Sequence, residues 1–276
     1  MKIVHAIDDP NIIETFFEKT NIKLNILISY HYLAGNAYKL TNQYRDMIEL
    51  LYLDSGAFSA EKKSVKINVS EYRRYIRRYG HKFDVVFNLD DDFNNPYHNF
   101  NNQAYLEENL PEGAKRPAPV IHDPQDPYGE FEVYADQGYE LIAIGSNKQI
   151  SDDVFDKIKE NYPRIRLHMF GNLNRKILIK HKPYSADSAS WAHTAGLGVV
   201  SYFDPEENKE QKLYIGERET PKGLTHINKF PKKEEFINML DQQLGYDYDD
   251  LLLDYNAKRS VNLYFFQQLE DYINSQ

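Results

Sequence analysis

The chain has 276 residues, of which 41% are apolar and 27% charged, with a net charge of −9 and no cysteine. That length can bury a large core, whereas the missing cysteine excludes a disulfide framework, a catalytic thiol and a thiolate zinc site. The acidic balance excludes a protein that grips nucleic acid over its whole surface, because phosphate neutralisation needs clustered Lys and Arg.

Short runs rich in Val, Ile and Leu recur along the chain, each followed by a longer polar segment of helical periodicity. In order the strand candidates are NILISY, LLYLD, DVVFNLD, APVIH, LIAIG, RLHMFG, PYSAD and GLGVVSYF. Between them SEYRRYIRRYG predicts a helix opening on Ser70 as N-cap with Glu71 in its first turn, and SDDVFDKIKENY one opening on Ser151. Eight strands alternating with helices predict an α/β fold, a (β/α)8 TIM-type barrel over residues 1–205. An open doubly wound sheet is the weaker reading, because no Gly-rich turn follows the first strand. Residues 206–276 read as a C-terminal extension of the same domain. It holds a hairpin around KLYIGE and two amphipathic helices, KKEEFINMLDQQL and SVNLYFFQQLEDYI.

No run reaches the roughly 18 apolar residues of a membrane span, and the N-terminal MKIVHAIDDPN turns acidic before a signal-like apolar region develops. The expectation is a cytoplasmic protein with no membrane partner. Two basic clusters, Arg73, Arg74, Arg77 and Arg78 in one helix and Arg175 and Lys176 with Lys180 and Lys182 in another, read either as local nucleic-acid contacts or as solvated helix faces.

Catalytic groups of parallel barrels sit at the C-terminal ends of the strands. Those ends are Asp54, Asp90, His122, Gly145, Gly171 and Asp187. One carboxylate after a strand is as often a helix cap as a catalyst. Three suit chemistry at an anomeric carbon, where one carboxylate forms a glycosyl ester and another moves protons. The triplet Asp90-Asp91-Asp92 also admits a divalent ion and hence a metal-dependent nucleoside or nucleotide N-glycosyl hydrolase. Trp191, the single tryptophan, and His193 follow Asp187 closely and read either as walls of the site or as packing residues.

Asp54-Ser55-Gly56-Ala57-Phe58-Ser59 resembles the Asp-Ser-Gly-Gly-(Phe/Tyr)-Gln hexapeptide of the tRNA-guanine transglycosylases, with Ala and Ser replacing Gly and Gln. Further elements agree in order over residues 50 to 190: DVVFNLD, VIH, LIAIGS, HMFG and SADSASW. The resemblance implies Asp187 as nucleophile, Asp90 as reader of the guanine edge and His122 in the place of a base-contacting amide. Ser55, Gly56, Gly145 and Gly171 would line the base pocket, with Phe58 stacking on the base and Asp54 handling its ring-nitrogen proton.

It implies no metal and no other cofactor, a nucleic-acid substrate and a free 7-deazaguanine base of the preQ0 kind as co-substrate. Family members acting on tRNA carry a cysteine-built zinc subdomain that this chain lacks. The short phage-type relatives, which would work in a host cytoplasm, act on DNA. DNA is therefore the expected acceptor ahead of tRNA, with a second copy of the chain or an accessory protein as the source of any missing surface. A non-catalytic nucleic-acid-binding barrel is the remaining alternative.

Overall fold

The computed structural model describes residues 1–36, 38–123, 129–145 and 150–276. In chain order it contains β1 (Lys2–Ala6), α1 (Asn11–Thr20), β2 (Leu24–Ser29), the single turn α2 (Tyr30–Leu33), β3 (Ile48–Asp54), α3 (Ala57–Lys62), α4 (Val69–Tyr79) and β4 (Val85–Val86). There follow α5 (Pro96–Glu107), β5 (Val120–Ile121), α6 (Glu130–Asp136), β6 (Leu141–Ile144), α7 (Asp152–Asn161), β7 (Arg166–Met169), α8 (Arg175–His181) and β8 (Ser185–Ser188). The rest comprises α9 (Ser190–Gly196), β9 (Val199–Asp204), β10 (Lys209–Tyr214), β11 (Thr225–His226), α10 (Lys233–Met239), α11 (Tyr248–Leu253) and α12 (Tyr255–Ser275).

The first compact unit comprises Met1–Asp8 and Asn25–Ser188. Its eight strands are ordered β4-β3-β2-β1-β8-β7-β6-β5, and every pairing between them is parallel. A parallel bridge between Phe87 and Ala118 joins the two ends of that order. Ala118 N–H donates to Val86 O at 2.7 Å and Asn88 N–H to Ala118 O at 2.9 Å. At this seam the Asn88 side chain substitutes for backbone, its Oδ1 accepting Val120 N–H at 3.1 Å. The fold is thus a (β/α)8 barrel of TIM type.

Successive residues of a strand face opposite sides of a sheet. The inward set here, Val4, Leu27, Tyr52, Phe87, Ala118, Val120, Leu141 and Ala143, is buried and packs into one cluster, joined by the less buried Leu50, Val85, Phe170 and Tyr184. Continuing the same parity by two residues at the C-terminal end of each strand brings Asp54, His122, Gly145 and Asp187 onto the inner face.

Three readings of the sequence need correction. The first barrel strand is KIVHA, which lies between β2 and β8 with His5 opposite Ile26 and Val4 opposite Asp187. Polar His5 and the strand's brevity disguise it in the sequence. The run GLGVVSYF is outside the barrel: as β9 it pairs antiparallel with β10, Val199 opposite Tyr214 and Asp204 opposite Lys209. Helix α4 is capped by Asn68, not Ser70, because the Asn68 carboxamide oxygen accepts from both Ser70 N–H and Glu71 N–H. Ser151 does occupy the N-cap position of α7, although its side chain makes no capping hydrogen bond.

The second unit comprises Asp9–Leu24 and Ala189–Gln276. Its three-stranded sheet has the order β11-β10-β9. Buried Asn262 of α12 donates to Trp191 O at 2.8 Å and to Val199 O at 3.2 Å while accepting Ser201 N–H at 2.7 Å, which ties the helix to α9 and β9. Helix α1 belongs here: Asp9 pairs with Arg259 at 3.1 Å, and Lys19 donates to Gly245 O at 3.0 Å. Among the described residues no helix is long and apolar enough to cross a membrane.

Candidate active site

Asp54 ends β3. Its Oδ2 accepts Gly56 N–H at 2.9 Å, bending the chain sharply into α3. Gly56 makes that bend at φ +84°, where a Cβ would lie 2.1 Å from Ser29 Oγ and 2.7 Å from His31 Cβ, so only glycine fits. Burial first, and then the charges of Asp90 and Asp187 against the opposing Gly56 hydrogen bond, push the Asp54 carboxyl up to about 8. Asp54 is therefore predominantly protonated at neutral pH.

Asp90 follows β4 and is 7% exposed. Its Oδ2 lies 2.9 Å from His122 Nε2, and its Oδ1 receives a long hydrogen bond from buried Ser55 Oγ at 3.5 Å. Burial raises its carboxyl above the usual range while the His122 hydrogen bond opposes that rise. His122, immediately after β5, is held from behind by its own N–H, which donates to the buried Glu130 carboxylate. Its Nδ1 is buried with no hydrogen-bond partner among the described residues. Gly145 gives the ring its space, since a Cβ there would lie 2.6 Å from both Nδ1 and Cε1 of His122. Ser146, which closes the LIAIGS run, lies outside the described residues.

Asp187, on β8, is 6% exposed. Its Oδ1 accepts Gly171 N–H at 2.8 Å, the glycine taking φ +57° after β7 to present that hydrogen. The same Oδ1 lies 3.5 Å from His168 Nε2. Oδ2 has no protein partner among the described residues, so one oxygen of the carboxylate is held and the other is open.

The barrel thus gathers Asp54, Ser55, Gly56, Asp90, His122, Gly145, Gly171 and Asp187 at one mouth. Phe58 stands on α3, 44% exposed, with the Lys62 ammonium 4.0 Å from its ring centroid and Phe93 6.4 Å away. Phe93 in turn lies 4.7 Å from His122, so an aromatic path joins Phe58 to the mouth.

The aspartate triplet does not act as a unit. Asp90 faces His122, Asp91 Oδ1 takes His98 Nε2 and Asn102 Nδ2 at 2.8 Å each, and Asp92 Oδ1 accepts Asn94 N–H at 3.2 Å. Among the described residues no group of three or more His, Asp and Glu is arranged to hold a metal ion.

The basic clusters divide. Arg73 donates to Glu108 O and pairs with its carboxylate at 3.2 Å, while Arg77 donates to Asn109 O at 2.7 Å and Glu108 O at 3.2 Å. Both cap the C-terminal end of α5, whereas Arg74 makes an exposed pairing with Glu71 at 3.5 Å and the Arg78 guanidinium lies 5.1 Å from the Tyr79 ring centroid. Arg175 and Lys176 begin α8, whose N-cap Asn174 follows the loop carrying Gly171, so they stand on the face of the barrel that carries the carboxylates. Trp191 belongs to the second unit, buried beneath the Arg259 guanidinium at 5.1 Å, and His193 is exposed on the same helix.

Sequence reasoning missed Tyr52, His168 and Ser185, three polar groups fully buried inside the barrel. The signal was available as parity: Tyr52 and Ser185 each precede a strand-end aspartate by two residues. His168 interrupts an apolar run at an inward position.

Fold and site together define a (β/α)8 barrel whose mouth carries three buried or half-buried carboxylates in unlike environments. No protein-family model matches the chain, and no curated protein matches it either.

Proposed function

We propose that this protein is a base-exchange transglycosylase that replaces guanine in a polynucleotide with a 7-deazaguanine through a covalent aspartyl-glycosyl intermediate. The observation that carries this reading is the division of labour among the carboxylates. Asp187 keeps one oxygen open beside a held one, Asp54 holds a proton to about pH 8, and Asp90 is oriented by His122 and Ser55. Pairs of carboxyls whose environments drive them apart are the usual mark of nucleophile and acid–base partners.

The target nucleotide is flipped out of its stack, at a cost of a few kcal/mol that pocket contacts offset. Asp187 Oδ2 attacks C1′. The bond from C1′ to the base nitrogen breaks, its electron pair leaves with the base, and Asp54 gives its proton to that nitrogen. The incoming base returns a proton to the Asp54 carboxylate and attacks C1′, and the Asp187 carboxylate is released. Atoms and charge balance with no external reactant. An ionised carboxylate offers about four lone-pair directions, and Asp90 uses two on His122 and Ser55. The others suit the N1 and N2 hydrogens of guanine or a deazaguanine, which adenine cannot supply.

The acceptor we favour is DNA, since a chain without cysteine cannot build the zinc subdomain associated with tRNA docking. The test is incubation with labelled guanine or a 7-deazaguanine and, in parallel, duplex DNA or tRNA, with label counted in the polymer. Incorporation into DNA is expected, incorporation into tRNA alone would reassign the acceptor, and incorporation into neither would refute the reading. Incorporation that persists in EDTA is also expected, and its loss would favour a metal-dependent hydrolase.

A further inference from the structure

Four side chains inside the barrel form one line ending on Asp187. Tyr52 O–H donates to Ser185 Oγ at 3.3 Å, Ser185 Oγ lies 2.9 Å from His168 Nδ1, and His168 Nε2 lies 3.5 Å from Asp187 Oδ1. Tyr52, His168 and Ser185 are each 0% exposed. Such a line has a direction. Burial pushes the Tyr52 hydroxyl well above its ordinary value, so it stays a donor. Ser185 Oγ therefore accepts from Tyr52 and turns its own hydrogen toward His168. A nitrogen receiving that hydrogen is an acceptor, which leaves the single proton of a neutral imidazole on Nε2, the atom facing Asp187.

From this geometry we infer that His168 is a positioning residue for the nucleophile: Ser185 and Tyr52 fix it as the Nε2–H tautomer, and it donates to Asp187 Oδ1 so that Oδ2 performs the attack. The inference rests on the assignment of Asp187 as nucleophile. Among the described residues His168 Nε2 has no hydrogen-bond partner at its present distance from Oδ1. Hydrogen bonds of this kind are often long before substrate arrives and tighten in the reacting complex. As the ester forms through Oδ2, Oδ1 becomes its carbonyl oxygen, still held by Gly171 N–H and His168 Nε2–H. Those donors then stabilise the negative charge that returns to the carboxylate when the incoming base expels it.

The same line accounts for three buried polar groups that apolar packing would otherwise replace, since an unpaired polar atom in a barrel core is costly. His5, buried in β1, is lowered by burial to about 3, as befits a core histidine that stays neutral.

Two measurements test the inference separately from the proposed reaction. In the intact protein labelled with 15N-histidine and assigned through His168→Gln, the neutral form of the His168 ring is expected to carry its proton on Nε2. Ser185→Ala is expected to shift it toward a mixture. A dominant Nδ1–H tautomer in the unmodified protein overturns the inference whether or not base exchange is detected.

In the exchange assay, His168→Phe, which keeps an aromatic ring without a donor, is expected to lower kcat about 10- to 100-fold, the usual penalty for losing a group that orients a reactive one, with KM for the free base within about twofold. His168→Gln, whose amide N–H reaches toward the same oxygen, is expected to recover most of that loss. A folded His168→Phe protein with wild-type kcat overturns the inference. If His168→Phe does not fold, Ser185→Ala, which removes one hydroxyl, carries the same test: a several-fold fall in kcat supports the tautomer relay and an unchanged kcat refutes it.

Discussion

His122 Nε2 and Asp90 Oδ2 are 2.9 Å apart, and the space that lets them meet is the missing side chain of Gly145. A methyl group at Gly145 would stand 2.6 Å from two ring atoms of His122. Gly145→Ala is therefore expected to lower stability by about 1–3 kcal/mol, the range for overpacking a filled core, and to weaken discrimination of guanine from adenine. Urea denaturation checks the first effect and competition between the two bases the second. A variant with full stability would mean that His122 can retreat without loss.

Asp54 gives a pH dependence whose sign is fixed by its environment. Its carboxyl titrates near 8 when folded against an ordinary 3.8, so the folded protein retains a proton that the unfolded chain releases. The associated stability is fully present below about pH 4 and is lost as pH rises through about 8. Asp54→Asn, permanently neutral, is expected to flatten this dependence and to exceed the wild type at pH 9 by about 2–4 kcal/mol. Base exchange by the wild type should fall above pH 8 as the acid is lost. A denaturation series across pH 5–9 reads the first outcome and a rate profile the second.

Removing the proposed nucleophile gives the sharpest kinetic outcome. Asp187→Ala and Asp187→Asn should each reduce exchange by at least about 10³-fold while leaving base binding within several-fold, because the group acts only on the reacting carbon. Trapped polymer–protein adduct, visible on a denaturing gel of the wild type, should vanish in both. Full activity in Asp187→Ala would require another nucleophile.

The two halves of the arginine cluster should separate experimentally. Arg73→Ala removes donors from the C-terminal carbonyls of α5 and is expected to lower stability by about 1 kcal/mol. Arg74→Ala, whose side chain makes only an exposed pairing with Glu71 at 3.5 Å, should leave stability within about 0.5 kcal/mol. Thermal melts resolve the difference. For the proposed DNA affinity, Lys176→Ala, on the face that carries the carboxylates, is expected to weaken binding and reduce its salt dependence more than Arg74→Ala does.

Much of this site was legible because a parallel barrel turns chain position into spatial position. Asp54, Asp90, His122 and Asp187 were found by asking which residue ends each apolar run. The barrel strands were harder to count. KIVHA does not stand out in the sequence because its register against Ile26 and Asp187 is a long-range property that five residues cannot express. GLGVVSYF resembles a barrel strand in sequence because an apolar run reads alike whether its partner is parallel or antiparallel. Asn68 outcompeted Ser70 as cap through two backbone hydrogens reached at once. The line from Tyr52 to Asp187 joins strands 133 residues apart in sequence and becomes visible only when the barrel closes.

Helix α1 is made well before its partners, since Gly245 and Arg259 are 226 and 250 residues downstream of Lys19 and Asp9 respectively. At a synthesis rate of about 5–20 residues per second, that interval lasts on the order of 10–50 s. During it, Ile12, Ile13 and Phe16, all 0% exposed in the finished protein, have no access to α12, which α1 touches when folded. The nascent chain therefore carries a sticky amphipathic segment until α12 has been made. Fragments that stop short of α12 should bind holdase chaperones or aggregate, even where their barrel strands are complete.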